Sequence, residues 1–155
     1  MEGSGKWFDE LRVGERFSRS TTVTDALLAM SAGLLGDFNP LHVDEVFARK
    51  SRFGGRILHG MMTSALMGGP VGTYFHGTAI AYLEHNARFL APVRPGDTLT
   101  IAWTIVALEP KPRHGGGIAS LAGTATNQDG VVAATSTGKI MVFARKAASP
   151  GQVSA

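Results

Sequence analysis

The chain has 155 residues, of which 44% are hydrophobic and 17% charged, a composition typical of one folded domain rather than a disordered segment. Fifteen Lys and Arg against twelve Asp and Glu give a net charge of +3, and the basic residues are dispersed, which argues against nucleic-acid binding. The absence of cysteine excludes a disulfide framework, a thiolate nucleophile and a Cys-ligated metal. The sequence shows no signal peptide and no run of ~18 apolar residues, so it predicts a cytoplasmic protein without a membrane span.

The first half of the chain alternates one strand with helices. Residues 15–23 are polar and β-branched and predict a short exposed strand. Thr24 is a good N-cap for a helix that Gly36 would end, and a second short helix is expected over residues 44–50. Residues 60–69 are apolar or small on every side, which predicts a buried helix.

The second half is rich in strands separated by turns. The strongest alternation runs from Leu99 to Ala107, Asp129-Gly130 predicts a hairpin turn, and residues 110–117 predict a longer mobile loop. Four antiparallel strands after one strand and several helices indicate an α+β fold, with a curved sheet wrapped around the apolar helix. Exposed sheet edges favour a dimer. We expect a single domain over residues 1–146 and a flexible tail over residues 147–155.

The segment Gly36-Asp37-Phe38-Asn39-Pro40-Leu41-His42 carries the most chemistry. Asp37 only accepts hydrogen bonds when ionised, whereas His42 can donate and accept, so the two could hold a water and take its proton. Asn39 could hold the loop rigid in an Asx-turn. The alternative is an ordinary turn, because Asp and Asn are common before proline. The five histidines show no spacing typical of a zinc site, so no metal is expected.

A second feature is His59-Gly60, which opens the apolar helix. Free amides at a helix N-terminus, where glycine allows close approach, can form an oxyanion hole. The alternative is that His59 caps the helix or packs beside it. No phosphate-binding loop and no Gly-x-Ser-x-Gly nucleophile motif is present.

Together these motifs resemble the signature of the MaoC-like, (R)-specific enoyl-CoA hydratases. The resemblance begins in Gly36 to His42, followed after five residues by Ala48. It continues in the segments Ile57-Leu58-His59-Gly60-Met61 and Arg88-Phe89-Leu90-Ala91-Pro92-Val93-Arg94-Pro95-Gly96-Asp97. It covers about residues 11 to 144 and implies a hot-dog fold, a homodimer or higher even-numbered homo-oligomer, and active sites near the subunit interface.

The resemblance implies a hydro-lyase that adds water to a trans-2-enoyl-CoA and gives the (R)-3-hydroxyacyl-CoA. Asp37 and His42 are then the catalytic pair, Asn39 shapes their loop, and the Gly60 amide binds the thioester oxygen. We expect the substrate-binding residues along the apolar helix, where they are His59, Met61 and Gly68. No cofactor is expected, because coenzyme A is part of the acyl-CoA substrate.

Two other functions remain open within the same fold. A thioesterase would need a carboxylate on the central helix, and residues 61–69 contain none. A non-catalytic acyl-thioester-binding domain would not need an intact Asp/His pair. The family usually has a small residue before the Gly-Asp pair, and Leu35 at that place leaves the acyl specificity open. Candidates for the phosphates of coenzyme A are Arg88, Arg94, Lys111 and Arg113.

Overall fold

A computed structural model describes residues 5–145 as a five-stranded antiparallel sheet with helices on one side, which confirms the predicted α+β class. The strands are β1 (Arg16–Thr22), β2 (Ala79–Phe89), β3 (Thr98–Lys111), β4 (Gly116–Thr126) and β5 (Val132–Phe143). Their order in the sheet is β1-β3-β4-β5-β2, so β1 and β2 are the two edges. The predicted tail, residues 147–155, lies outside the described residues.

The helices before the central one follow the expected signals. In α1 (Asp25–Leu35) the Thr24 hydroxyl accepts a hydrogen bond from the Leu27 amide, and Gly36 ends the helix with a φ of 67°. The predicted short helix is α3 (Glu45–Lys50). Between them lies α2 (Pro40–Val43), which the sequence did not predict; Pro40 begins this single turn because proline needs no amide hydrogen at the first helical position.

The central helix α4 (Gly60–Tyr74) is five residues longer than predicted. Pro70 lies inside this helix without ending it. Its missing amide costs the helix one hydrogen bond, but burial of its ring offsets that cost. The helix is not buried all round: Thr63 and Met67 are covered, whereas Met61 is 66% exposed. Among the helices of residues 5–145, none is long and apolar enough to cross a membrane.

The predicted mobile loop at residues 110–117 is wrong. β3 continues to Lys111, a one-turn 3₁₀ helix covers Pro112–His114, and β4 begins at Gly116. The glycines serve close approach here rather than flexibility. A Cβ on Gly116 would lie 1.9 Å from the Val142 carbonyl oxygen.

The core lies between α4 and the inner face of the sheet. Leu99, Ile101, Trp103 and Ile105 alternate along β3 and are all buried on that face, as their spacing predicted. Ala107 was predicted on the same face but is exposed, because the register of β3 shifts between Ile105 and Ala107. The Trp103 indole nitrogen donates a 2.9 Å hydrogen bond to the Met67 carbonyl. This bond satisfies a buried donor and fixes α4 on the sheet, so that the N-terminus of α4 has a defined position.

Candidate active site

The loop after α1 places the Asp37 carboxylate. The Asp37 amide donates to the Ala32 carbonyl at 3.1 Å, which closes the C-terminal turn of the helix. The Asn39 amide donates to Asp37 Oδ1 at 3.1 Å, so one carboxylate oxygen is held by the backbone. The other oxygen is free to accept, since the Asp37 side chain is 51% exposed.

The next turn places His42. Asn39 Oδ1 accepts from the Leu41 amide at 3.1 Å and thereby caps α2, which carries His42. His42 Nδ1 lies 2.7 Å from the Ile57 carbonyl oxygen, and a carbonyl only accepts, so Nδ1 carries the proton. Neutral His42 therefore has its lone pair on Nε2.

His42 Nε2 and Asp37 Oδ2 are 3.8 Å apart. Both atoms are acceptors in the neutral-His42, ionised-Asp37 state, and the separation is too long for a direct hydrogen bond. A water placed between them can donate one O–H to each atom and keep its oxygen lone pairs directed outward. The geometry suits a base that takes a proton from a held water.

His59 lies behind this pair. Its ring is stacked on the His42 ring, with centroids 3.7 Å apart and planes 27° apart, and its Nε2 is 2.9 Å from the Asp37 carbonyl oxygen. The residue is only 2% exposed, so its side chain has almost no surface to offer a substrate. Sequence reasoning assigned His59 to substrate binding and did not find this stack.

The side chains of Asp37, His42 and His59 offer ligand atoms within 4.8 Å of one another, a grouping of the kind that can hold a metal ion. The arrangement does not fit one. His42 Nδ1 and His59 Nε2 both donate to backbone carbonyls, and the remaining ring nitrogen of His59, Nδ1, is buried. Asp37 and His42 Nε2 remain as accessible donors, fewer than the three protein ligands of a catalytic zinc site.

Gly60 follows His59 in the chain and is the first residue of α4. Among residues 5–145 no acceptor bonds to the Gly60 or Met61 amide, and the first turn of α4 closes with the Met62 and Thr63 amides on the His59 carbonyl. The ring of Phe89 packs on Gly60, where a Cβ would lie 3.0 Å from Phe89 Cε2. A cavity of about 340 Å³ opens here. Its lining includes Gly60, Phe89, Arg52, Phe53 and Val93.

The remaining candidates are placed as follows. Met61 is exposed next to Gly60, and Gly68 lies two turns further along α4, where an added Cβ would meet no atom within 4 Å. Arg94 donates to the Phe53 carbonyl at the wall of the cavity, and Lys111 pairs with Glu109. Neither Arg88 nor Arg113 lines this cavity.

The sequence analysis assigned no role to three residues of the site, Ile57, Phe89 and Arg52, although Ile57 and Phe89 lie in segments that carry the resemblance. Ile57 contributes a backbone carbonyl, for which no side-chain signal exists. Phe89 reaches Gly60 from β2, a contact between residues 29 positions apart that only the fold creates. Arg52 lies with its guanidinium carbon 5.1 Å from the centre of the Phe53 ring, and the adjacent pair Arg52-Phe53 was its only sequence signal.

Comparisons with known proteins show the family of the chain. Residues 12–121 match the model of the MaoC like domain. The chain is 36% identical to the (R)-specific enoyl-CoA hydratase of Aeromonas caviae, over 81% of this chain and 90% of the relative, and 34% identical to that of Rhodospirillum rubrum, over 69% and 74%. The solved MaoC-like dehydratase of Rhodospirillum rubrum superposes with a TM-score of 0.80 at 33% identity, covering 92% of this chain and all of that one. The fold is therefore the hot-dog fold, and the chain belongs to the MaoC-like family.

Proposed function

We propose that the protein is a hydro-lyase that reversibly hydrates a trans-2-enoyl-CoA to the (R)-3-hydroxyacyl-CoA. The observation that carries the proposal is the pair of facing acceptors, Asp37 Oδ2 and His42 Nε2, 3.8 Å apart. His42 Nδ1 is bound to a carbonyl, so only Nε2 is available as the base. The named relatives that are (R)-specific enoyl-CoA hydratases support the same reaction.

In the hydration direction, Asp37 and His42 hold a water through its two O–H groups. As the water oxygen bonds to C3 of the enoyl group, one O–H bond breaks and its proton passes to His42 Nε2. The electron pair of the double bond moves onto the thioester oxygen, and His42 then returns the proton to C2. The sum is the addition of one water, and dehydration runs through the same steps in reverse.

The charge on the thioester oxygen is the costly part of this reaction. The Gly60 amide has no acceptor within residues 5–145, lies at the positive end of the 15-residue helix α4 and borders the 340 Å³ cavity. An amide fixed in this way stabilises an oxyanion without reorganisation, and removal of one such donor typically costs ~10²–10³ in rate. No cofactor enters these steps, since coenzyme A comes with the acyl-CoA substrate.

We further propose a homodimer or a higher even-numbered assembly that forms through the edge strand β2. This strand exposes Ile80, Tyr82 and Leu83, each at least 37% exposed, along an unpaired edge. An edge of this kind is stabilised by pairing with a second copy. Light scattering on the purified protein measures the mass, and a monomer would refute the proposal.

The deciding experiment is an assay with trans-2-enoyl-CoA thioesters of several chain lengths, in which loss of the conjugated enoyl absorbance is followed. We expect turnover, with (R)-alcohol detected by a stereospecific dehydrogenase. Asp37→Asn keeps the hydrogen bond from the Asn39 amide, and His42→Gln keeps a polar side chain. Each should lower kcat by ~10²–10⁴. The matched controls Asp129→Asn and His114→Gln, both exposed, should retain activity.

Two results would contradict the proposed reaction. Full activity in the Asp37 or His42 variant would remove the pair from the mechanism. Release of free coenzyme A without formation of a hydroxyacyl product would show thioester hydrolysis instead.

A further inference from the structure

The segment Ile57–His59 joins the two halves of the proposed site. The Ile57 carbonyl accepts from the His42 ring, and the Ile57 amide donates to the Leu41 carbonyl at 3.2 Å. The Leu58 amide donates to the Val93 carbonyl at 2.7 Å, which ties the segment to the wall of the cavity. The chain then enters α4 through His59. Three consecutive residues thus connect the base, the cavity and the helix that carries the free amide.

His59 makes several of these connections at once. Its carbonyl accepts from the amides of Met62 and Thr63, both at 3.0 Å, so its backbone is fixed to the first turn of α4. Its ring donates from Nε2 to the Asp37 carbonyl and lies face to face with His42. One buried residue therefore contacts both members of the catalytic pair and the start of α4.

The ring nitrogen Nδ1 of His59 is buried and bonds to no atom of residues 5–145. A buried polar atom without a partner is unfavourable, so packing alone does not explain an imidazole at this place. A phenyl ring would fill much the same space without this atom. What a phenyl ring would lack is the N–H that meets the Asp37 carbonyl.

We propose that His59 is a positioning residue for the Asp37–His42 pair. Its Nε2–H fixes the backbone of Asp37, and its ring face keeps His42 oriented so that Nδ1 reaches the Ile57 carbonyl and Nε2 stays free to accept. It acts through these two residues and does not touch the substrate. This inference rests on the proposed hydration, since it concerns the base of that reaction.

Two variants separate the two contacts. His59→Gln can place an amide N–H near the position of Nε2 but removes the stacked ring, whereas His59→Phe keeps a ring and removes the donor. We expect each to lower kcat by ~10–100-fold, because misplacement of a catalytic group by about 1 Å costs this much, while KM changes less than about threefold. Ser31→Ala is the matched control, since Ser31 is equally buried but bonds within α1 to the Leu27 carbonyl.

A second readout does not depend on activity. Nitrogen-15 shifts of the imidazole rings report which nitrogen carries the proton. In the wild-type protein at neutral pH we expect the proton on Nδ1 of His42 and on Nε2 of His59. In both His59 variants we expect His42 to lose this fixed tautomer and to populate both forms.

Each outcome decides between the proposals. A rise in KM with unchanged kcat would make His59 a substrate-binding residue and overturn the inference, as would unchanged kcat with an unchanged His42 tautomer in both variants. If both variants unfold, the wild-type spectrum still tests whether His59 donates from Nε2 to the Asp37 carbonyl. A proton on His59 Nδ1 alone would overturn the inference. If the wild type fails to hydrate any enoyl-CoA, the proposed function fails, while the spectra still show whether His59 orients His42.

Discussion

Gly60→Ala tests the proposed oxyanion site most directly, because it adds one methyl group and leaves the amide in place. The added Cβ would lie 3.0, 3.1 and 3.2 Å from three atoms of the Phe89 ring. These distances require the ring to move by a few tenths of an ångström. Phe89 is 50% exposed, so its ring can move towards solvent. The site changes shape while the fold is preserved.

The expected effects on stability and rate differ in size. Overpacking costs about 1–3 kcal/mol in a closed core, and here the exposed ring and the better helix propensity of alanine offset much of that cost. We expect the free energy of unfolding to change by less than about 1 kcal/mol. The methyl group narrows the cavity and the shifted Phe89 ring changes its wall, where the thioester must approach the amide. We therefore expect kcat/KM to fall about 100-fold, equivalent to about 2.7 kcal/mol.

The assay is kcat/KM with a trans-2-enoyl-CoA, alongside urea unfolding of the same preparations. Gly69→Ala is the control in the same helix, because a Cβ there meets no atom within 4 Å. The double variant Gly60→Ala with Phe89→Ala should recover part of the loss, since the smaller side chain gives the methyl group room. Full kcat/KM in Gly60→Ala would refute the approach of a thioester to this amide.

Further predictions concern acyl length, pH and packing. Gly68→Leu should fold normally, because a side chain at this position points into free space. It should lower activity on long enoyl-CoA substrates more than on the four-carbon substrate. An unchanged ranking of the substrates would show that the acyl group does not pass Gly68. Burial lowers the pKa of His85 below 6.5, so the unfolded chain binds this proton first and the folded protein loses stability as pH drops below about 6.5. His85→Gln should therefore flatten the dependence of melting temperature on pH between about pH 7 and 5. An identical slope in the variant would contradict this prediction. Gly123→Ala should lower the free energy of unfolding in urea by about 1–3 kcal/mol or more, because its Cβ would lie 2.6 Å from the buried Trp103 ring. Gly33→Ala is the control in α1, where a Cβ meets open space, and it should leave this free energy unchanged or raise it.

Local signals in the sequence were enough to predict most elements of the fold. Thr24 and Gly36 bound α1 as their capping chemistry predicts, and the alternation from Leu99 marks the buried face of β3. Where prediction failed, long-range packing was the cause. Pro70 continues α4 because its ring is buried in the core, and Gly117 lies in β4 because the Phe8 ring occupies the space a side chain would need. Phe8 is far from Gly117 in the sequence, so this contact could not be predicted from local signals.

In the candidate site, too, local signals were predictable from the sequence and long-range contacts were not. Asp37 and His42 are five residues apart, so the loop signals that bring them together were visible in the sequence and in the resemblance. The stack of His59 on His42 joins residues 17 apart, and the Phe89 contact with Gly60 joins residues 29 apart. Such contacts depend on how α4 lies on the sheet. The loop spacing together with the resemblance therefore predicted the candidate reacting groups but not the residues that contact and orient them.

The strand order β1-β3-β4-β5-β2 has a consequence for the order in which the protein folds. The three central strands follow one another along the chain and need only short loop closures, whereas β1 pairs with β3 across 80 residues, as in the Ser20–Thr100 hydrogen bond. Asp37, His42 and Gly60 all lie in the long connection between β1 and β2, which form opposite edges. The central strands are therefore expected to form early and the Asp37–His42 pair to come together late. Fraying at either edge would abolish the proposed activity while most of the sheet remained intact.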